Sequence, residues 1–331
     1  VVVTALQVDL VNQMKDFAAK FGAEVKGYTV QSIYRALFDE EDEEFEDEEE
    51  SAILKEYAED VAPKKEEIAS LLQEEKIAVL FDETQHVPAM MAKKILTNIP
   101  QALRIGASAT PWRDDGRDLE IYALMGDIIE PRVTASYLVE RGYLLPANIT
   151  ILRYRPAGCR AEDFVSERRC IVQDDRRNRL IVRLALKAAK PLLLITPFVS
   201  HAKALYELIK AEEPSAELVT GAVKGEVRKR IYDALRRGLI KILVATTLAD
   251  EGLDLPPLTS LIVALGGKSR VRVLQRVGRV ERIYPGKTGA YVYDICDTTK
   301  YMLRHCEVRE ELYRSEPMWK ISYGNLEAAV S

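Results

Sequence analysis

Short, predominantly apolar runs alternate with amphipathic stretches along almost the whole chain. Segments 1–5, 77–81, 103–107, 192–196, 240–246, 261–265 and 290–294 are of strand length and show no polar alternation. Between them, 200–212 and 226–237 have helical spacing, and in 8–21 the residues Leu10, Met14, Phe17 and Phe21 fall on one helical face. Strands without a polar side, separated by helices, predict an α/β fold of parallel sheets covered on both faces.

Two stretches interrupt this pattern. Residues 39–50 hold eleven acids in twelve positions and run into a Lys- and Glu-rich stretch, 55–76. Such a block buries too little apolar surface to order itself, so a disordered or mobile insertion of about 38–66 is expected. From about 146 to 179 the strand-forming runs give way to Arg- and Asp-rich sequence. The 331 residues suffice for two domains with separate cores. The predicted layout is a first domain at 1–148, a linker at 149–179, a second domain at 180–298 and a C-terminal extension at 299–331.

Composition narrows the function classes. An apolar fraction of 47% and a charged fraction of 30% are those of a water-soluble globular chain, and no run approaches the ~20 apolar residues of a membrane span. With no leader pattern at the N-terminus, the expected location is the cytoplasm, nucleoid or nucleus rather than the outside of the cell. Cys159, Cys170, Cys296 and Cys306 form no C-x-x-C pair, which predicts ordinary thiols in a reducing compartment and no zinc site. The net charge is −5, but without the eleven acids 47 bases face 41 of the 52 acids, a balance of +6. A mildly basic body is compatible with a nucleic-acid partner.

The chemistry gathers at strand ends. Asp82 and Glu83 follow the apolar run 77–81, where one carboxylate can hold magnesium and the next can orient an attacking water. Alone, the pair is equally a charged strand end. Ser108 and Thr110 end another strand and can bridge to a neighbouring element. Thr246 and Thr247 end a third; such hydroxyls can bind a nucleic-acid phosphate, while Gly252 allows a turn that aims Asp254 at a ribose or an arginine. Arg276, Arg279 and Arg282 recur every three residues, near one helical face, and their mutual repulsion would be relieved by a phosphate. The alternative is a solvated basic face. Gly286-Lys287-Thr288 and Gly267-Lys268-Ser269 lack the earlier glycine of a phosphate loop and read as turns. His201 and His305 read as structural.

Together these residues resemble the motor core of superfamily-2 helicases of the DExH type. "DETQH" at 82–86 stands at motif II, "SAT" at 108–110 at motif III, "ATTLADEGLDLP" at 245–256 at motif V and "QRVGRVER" at 275–282 at motif VI. "FDETQHVPA", "LRIGASATPWRDDG" and Glu281 are most similar to XPB-type DNA helicases and related phage-type translocases. The resemblance implies two tandem RecA-like domains closing on ATP and Mg2+. Asp82 would coordinate magnesium through water and Glu83 would position the attacking water. Gln275, Arg279 and Arg282 would meet the γ-phosphate, with His86, Gly252 and Asp254 near the nucleotide. Ser108 and Thr110 would couple the domains. Thr4, Gln31, Ser32, Thr246 and Thr247 would contact the nucleic-acid backbone, which tracks a strand without reading its sequence.

The chain departs from the family in lacking any G-x-x-x-x-G-K-[ST]. In the family that loop precedes the strand matched by 1–5, so the first domain is expected to be truncated and the chain to hydrolyse ATP weakly. The expected function is an ATP-dependent helicase or translocase acting on DNA, double-stranded by preference. The alternatives are a catalytically inactive scaffold of helicase fold and an ATP-dependent RNA helicase. A protein partner could engage the acidic insertion or the C-terminal tail; no membrane partner is expected.

Overall fold

The computed structural model describes residues 1–5, 8–38, 65–84, 90–108, 116–130, 132–159, 162–223, 225–246, 255–267 and 269–331. It divides into two compact units, Val1–Arg132 and Val133–Ser331. The core of the acidic insertion, 39–64, lies outside the described residues.

The first unit comprises β1 (Val2–Ala5), α1 (Val8–Lys20), β2 (Lys26–Thr29), α2 (Val30–Leu37), α3 (Lys65–Leu72), β3 (Ala78–Asp82), α4 (Met90–Asn98), β4 (Leu103–Ala107) and α5 (Asp118–Met125). Its four strands are parallel in the order β2-β1-β3-β4. Val2, Val79 and Phe81 pack with Ile33, Ile68, Ile95 and Leu96 into one core. Residues 65–72, in the Lys- and Glu-rich stretch that follows the acidic insertion, form α3, because Ile68 and Leu72 lie one turn apart and both enter that core. In α1 the buried residue is Val11, whereas Phe17 and Phe21 are exposed and stack on each other at 5.0 Å. The edge strand β4 is mostly exposed, so this sheet is not covered on both faces throughout.

The second unit comprises α6 (Ala135–Glu140), β5 (Ala147–Tyr154), α7 (Phe164–Val172), α8 (Asp175–Lys187), β6 (Leu192–Thr196), α9 (Val199–Glu212), β7 (Glu217–Val219) and α10 (Gly225–Arg236). It continues with β8 (Ile242–Thr246), β9 (Ser260–Val263), α11 (Arg270–Glu281), β10 (Ala290–Asp297), α12 (Lys300–Arg314), β11 (Lys320–Asn325) and α13 (Leu326–Val330). Seven parallel strands run β11-β5-β10-β9-β6-β8-β7. Alternate residues feed two cores, Leu193 and Ile195 on one face, Leu192 and Leu194 on the other. That is the parallel sheet buried on both sides that the sequence predicts.

The predicted linker and extension are both parts of this unit. Residues 149–179 carry most of β5, which pairs with both β10 and β11, then α7 and the start of α8. From α7 the buried Glu167 accepts hydrogen bonds from Thr299 Oγ1 (2.6 Å) and from the backbone N–H of Tyr301 and Met302 (2.9 Å each), which caps the first turn of α12. Trp319, Leu326 and Val330 of the tail are buried in the two cores, whereas Tyr323 is exposed. Arg309 grips Asp294 through two 2.7 Å bonds and Arg177 grips Asp297 at 2.7 and 2.8 Å, all four side chains being buried. All four cysteines are paired, Cys159 with Cys170 and Cys296 with Cys306, which corrects the expectation of free thiols. Sequence separations of 11 and 10 let elements adjacent in the fold bring the sulfurs together without a C-x-x-C motif. No helix among the described residues is long and apolar enough to cross a membrane.

Candidate active site

The acidic half-site is set by β3. Its alternate residues Val79 and Phe81 enter the core, which leaves Asp82 half-buried at the C-terminal end, in register with Ala107 of β4. Glu83 then takes φ 54°, a left-handed conformation that no other described residue except glycine adopts. For a glutamate that costs on the order of 1–3 kcal/mol, and such strain concentrates at functional sites. Burial raises the Asp82 pKa, the Glu83 carboxylate raises it further, and the Glu83 N–H donated to Asp82 Oδ1 at 3.0 Å works against both.

Thr84 locks this corner to the next strand. It is buried, and its Oγ1 donates to the Ala107 carbonyl at 2.9 Å, immediately before the half-buried Ser108. The strands approach closely because Gly106 has no side chain: a Cβ there would lie 2.5 Å from Thr84 Cγ2. Neither Thr84 nor Gly106 was singled out from sequence, although a glycine inside an apolar strand is the signal for such an approach. Gln85, His86 and Thr110 lie outside the described residues.

The donor set suits magnesium in one form. Among the described residues no three His, Cys, Asp or Glu side chains cluster as a metal cage. Two adjacent carboxylates, one with its pKa raised by the other's charge, match an ion that keeps most of its waters and takes its remaining ligands from phosphates.

The basic half-site is α11. Val273, Val277 and Val280 face the core, which leaves Gln275, Arg279 and Arg282, at i, i+4 and i+7, on a half-buried stripe. Arg276 falls outside that stripe and is buried, its charge acting on Tyr313. The three-residue spacing of the arginines therefore splits into one structural and two presented groups. Burial lowers the pKa of Arg282.

The end of α11 is held tightly. Leu144 bridges Arg282, and Leu145 donates its N–H to the Glu281 carbonyl at 2.8 Å. Lys287 Nζ donates to the carbonyls of Val280 (2.6 Å) and Arg282 (2.8 Å), which satisfies the helix C-terminus. Glu281 is fully buried and accepts from Trp319 Nε1 at 2.6 Å. Burial pushes its carboxyl up to about 7 against that hydrogen bond, with Glu316 adding to the rise and Lys287 opposing it.

The residues expected to touch nucleic acid are less accessible than predicted. Thr4, Gln31 and Thr246 are buried, since β1, β8 and the inner face of α2 are covered by neighbouring elements. Each nevertheless has a buried side-chain oxygen with no partner among the described residues. Ser32 is half-buried and serves the helix start: Thr29 Oγ1 accepts its N–H at 3.1 Å and shares a hydrogen bond with its Oγ at 2.8 Å. Thr246 pairs in register with Thr196 at the C-terminal edge of the second sheet. Thr247, Gly252 and Asp254 lie outside the described residues.

Comparison with known proteins agrees with this geometry. Residues 176–284 match the helicase conserved C-terminal domain. A protein of Sulfolobus islandicus filamentous virus, "Putative helicase 22", is 33% identical over 238 residues, covering 66% of this chain and 42% of the relative. The "ATP-dependent DNA helicase uvsW" of Enterobacteria phage T4 is 32% identical over 230 residues, covering 66% and 46%. The chain thus spans less than half the length of these relatives. Among solved structures, Saccharomyces cerevisiae Dbp5 bound to RNA and ADP BeF3 shares the fold at a TM-score of 0.63 and 11% identity, covering 100% of this chain and 81% of that one. Motif II ends β3, motif III follows β4, motif V begins at the end of β8 and motif VI lies at the end of α11; two tandem RecA-like domains that carry these motifs in this order match a superfamily-2 motor core of the DExH type.

Proposed function

We propose that this chain is part of an ATP-driven motor that translocates on DNA, of the XPB-like branch of superfamily 2. Asp82 holds magnesium through water, and Glu83 orients the water that attacks the γ-phosphate. Arg279 and Arg282 balance the charge that develops on that phosphate, and Gln275 positions them. Magnesium, when bound, neutralises phosphate charge. The observation that carries the reading is the left-handed backbone of Glu83 beside a half-buried Asp82. Strain of this kind concentrates at functional sites, and here it falls directly beside the carboxylate pair. DNA is favoured over RNA by the wording of motif II and by a relative named as a DNA helicase.

The orphaned hydroxyls of Thr4 and Thr246 support contacts to a nucleic-acid backbone, since buried polar atoms ordinarily have partners. The test is DNA-stimulated ATP hydrolysis by the protein that carries this chain. Glu83→Gln, which keeps size and removes the base, is expected to lower kcat by roughly 10²–10⁴ with binding intact. Unchanged kcat in that variant would refute the assignment, and stimulation by RNA but not DNA would redirect the substrate.

A further inference from the structure

A cavity of about 570 Å³ opens in the second unit between α7, the start of α8 and the start of α9. All three helices meet here at the C-terminal edge of the sheet, because α9 follows β6 and α8 runs back before it. In open α/β sheets that edge is where ligands bind. The volume lies within the range of small-ligand pockets. Its apolar walls are Val165, Val172, Phe198 and Ala204.

The polar groups of the cavity fall into two classes. Asn178 and His201 are spent internally: His201 Nε2 donates to Asn178 Oδ1 at 3.0 Å, His201 Nδ1 accepts from Thr196 Oγ1 at 2.7 Å, and Asn178 Nδ2 donates to the Val172 carbonyl at 2.9 Å. Arg169, Gln173 and Ser200, by contrast, have no side-chain hydrogen bond or ion pair among the described residues. Arg168 is clamped by rings, its guanidinium 4.3 Å from the Phe198 centroid and 4.9 Å from that of Phe164. Two arginines against the rim carboxylate of Asp175 leave the lining positive.

We infer that this cavity receives a base of single-stranded DNA, stacked along Phe198 and Arg168 with its edge on Gln173 and Ser200 and its phosphate on Arg169. Flat apolar walls, an oriented guanidinium plane and uncommitted amide and hydroxyl groups are what an unstacked base requires. The site lies one strand from Thr246, through the Thr196–Thr246 pairing, and so beside the proposed backbone contact. It rests on the nucleic-acid part of the proposed function and adds a base contact to a surface otherwise expected to touch only phosphate.

The test measures binding of the 331-residue chain to labelled oligomers of about 12 nucleotides. Oligo-dT, oligo-rU and an abasic deoxy-oligomer of equal length are compared at one salt concentration. Oligo-dT is expected to bind roughly 5- to 150-fold more tightly than the abasic oligomer. Ala204→Trp, which fills the cavity from an exposed position, should abolish that preference and leave abasic affinity unchanged. Phe198→Leu, which removes the ring but keeps an apolar side chain, should do the same. Equal binding of oligo-dT and abasic oligomer, a preference that survives both substitutions, or a preference confined to oligo-rU overturns the inference while leaving nucleic-acid binding standing. Failure to bind any oligomer overturns both.

Discussion

The buried Glu281–Trp319 hydrogen bond allows a pH test of how α11 is held. Glu281 ends the helix that presents Arg279, and its carboxyl is pushed from an ordinary 4.5 up to about 7, chiefly by burial. Between those values the folded protein binds a proton that the unfolded chain has released. Stability therefore falls as pH rises from about 4.5 to about 7, by up to roughly 3 kcal/mol at 1.36 kcal/mol per pKa unit. Glu281→Gln removes the titration yet keeps an oxygen for Trp319. Its advantage over the parent should grow across that window and level off above it. Lys287 does not confuse the result: burial lowers it from 10.5 to about 8, so its own contribution changes as pH rises from about 8 to 10.5. Urea denaturation at several pH values, followed by the fluorescence of Trp319 in a Trp112→Phe background, measures both slopes. A stability difference between Glu281→Gln and parent that stays constant from pH 5 to pH 8 would refute the argument. Trp319→Phe should lose about 1–3 kcal/mol at neutral pH, because it leaves the carboxylate without its donor.

Three further outcomes are expected. Arg309→Met should destabilise the second unit by about 3–5 kcal/mol in urea denaturation, since it strands the buried Asp294 carboxylate, and adding Asp294→Leu should recover much of the loss. Gly106→Ala should lower stability by about 1–3 kcal/mol in thermal melts through the contact with Thr84 Cγ2, and Thr84→Ser, which removes that methyl and keeps the hydroxyl, should relieve it. The denatured, unreduced protein should show no free thiol by thiol titration, and reduction should lower second-unit stability by about 3 kcal/mol for each loop of about ten residues.

What was legible in the sequence follows from how each element is buried. The strand at 192–196 has the bounds expected of it, because a strand between parallel neighbours needs only an unbroken apolar run. β5 escaped notice because Asn148, Thr150 and Arg153 interrupt its apolar pattern. Two of these are used inside the sheet: Asn148 Nδ2 donates to the Ala290 carbonyl at 3.3 Å, and Thr150 Oγ1 shares a 3.0 Å hydrogen bond with Ser322 Oγ. Glu167 looked like one more surface acid in an Arg-rich stretch, yet it caps a helix that begins 133 residues later. Spacing along the chain carries no trace of such a partner. In α1 the spacing puts Phe17 and Phe21 on one face, but periodicity does not reveal that Val11, off that face, is the residue that becomes buried. At α11 the arginine repeat was plain, but only the positions of the three valines decide that Arg276 turns inward while Arg279 and Arg282 stay presented.

Burial disfavours charge at both motif II and motif VI. Asp82 is half-buried beside a second carboxylate, and both burial and that neighbour disfavour its charged form. Burial disfavours the charged form of Arg282. Structural charges elsewhere in the chain are buried in two-point pairs, Arg309 with Asp294 and Arg177 with Asp297. Under the proposed function a metal-bound polyphosphate brings a cation to Asp82, so its binding would lower the Asp82 pKa. Titration of Asp82 by carbon-13 NMR in Mg-nucleotide against magnesium alone separates this from simple metal uptake. A downward shift under both conditions with no dependence on the nucleotide would leave the acidic end as a cation site and remove the case for a nucleotide there.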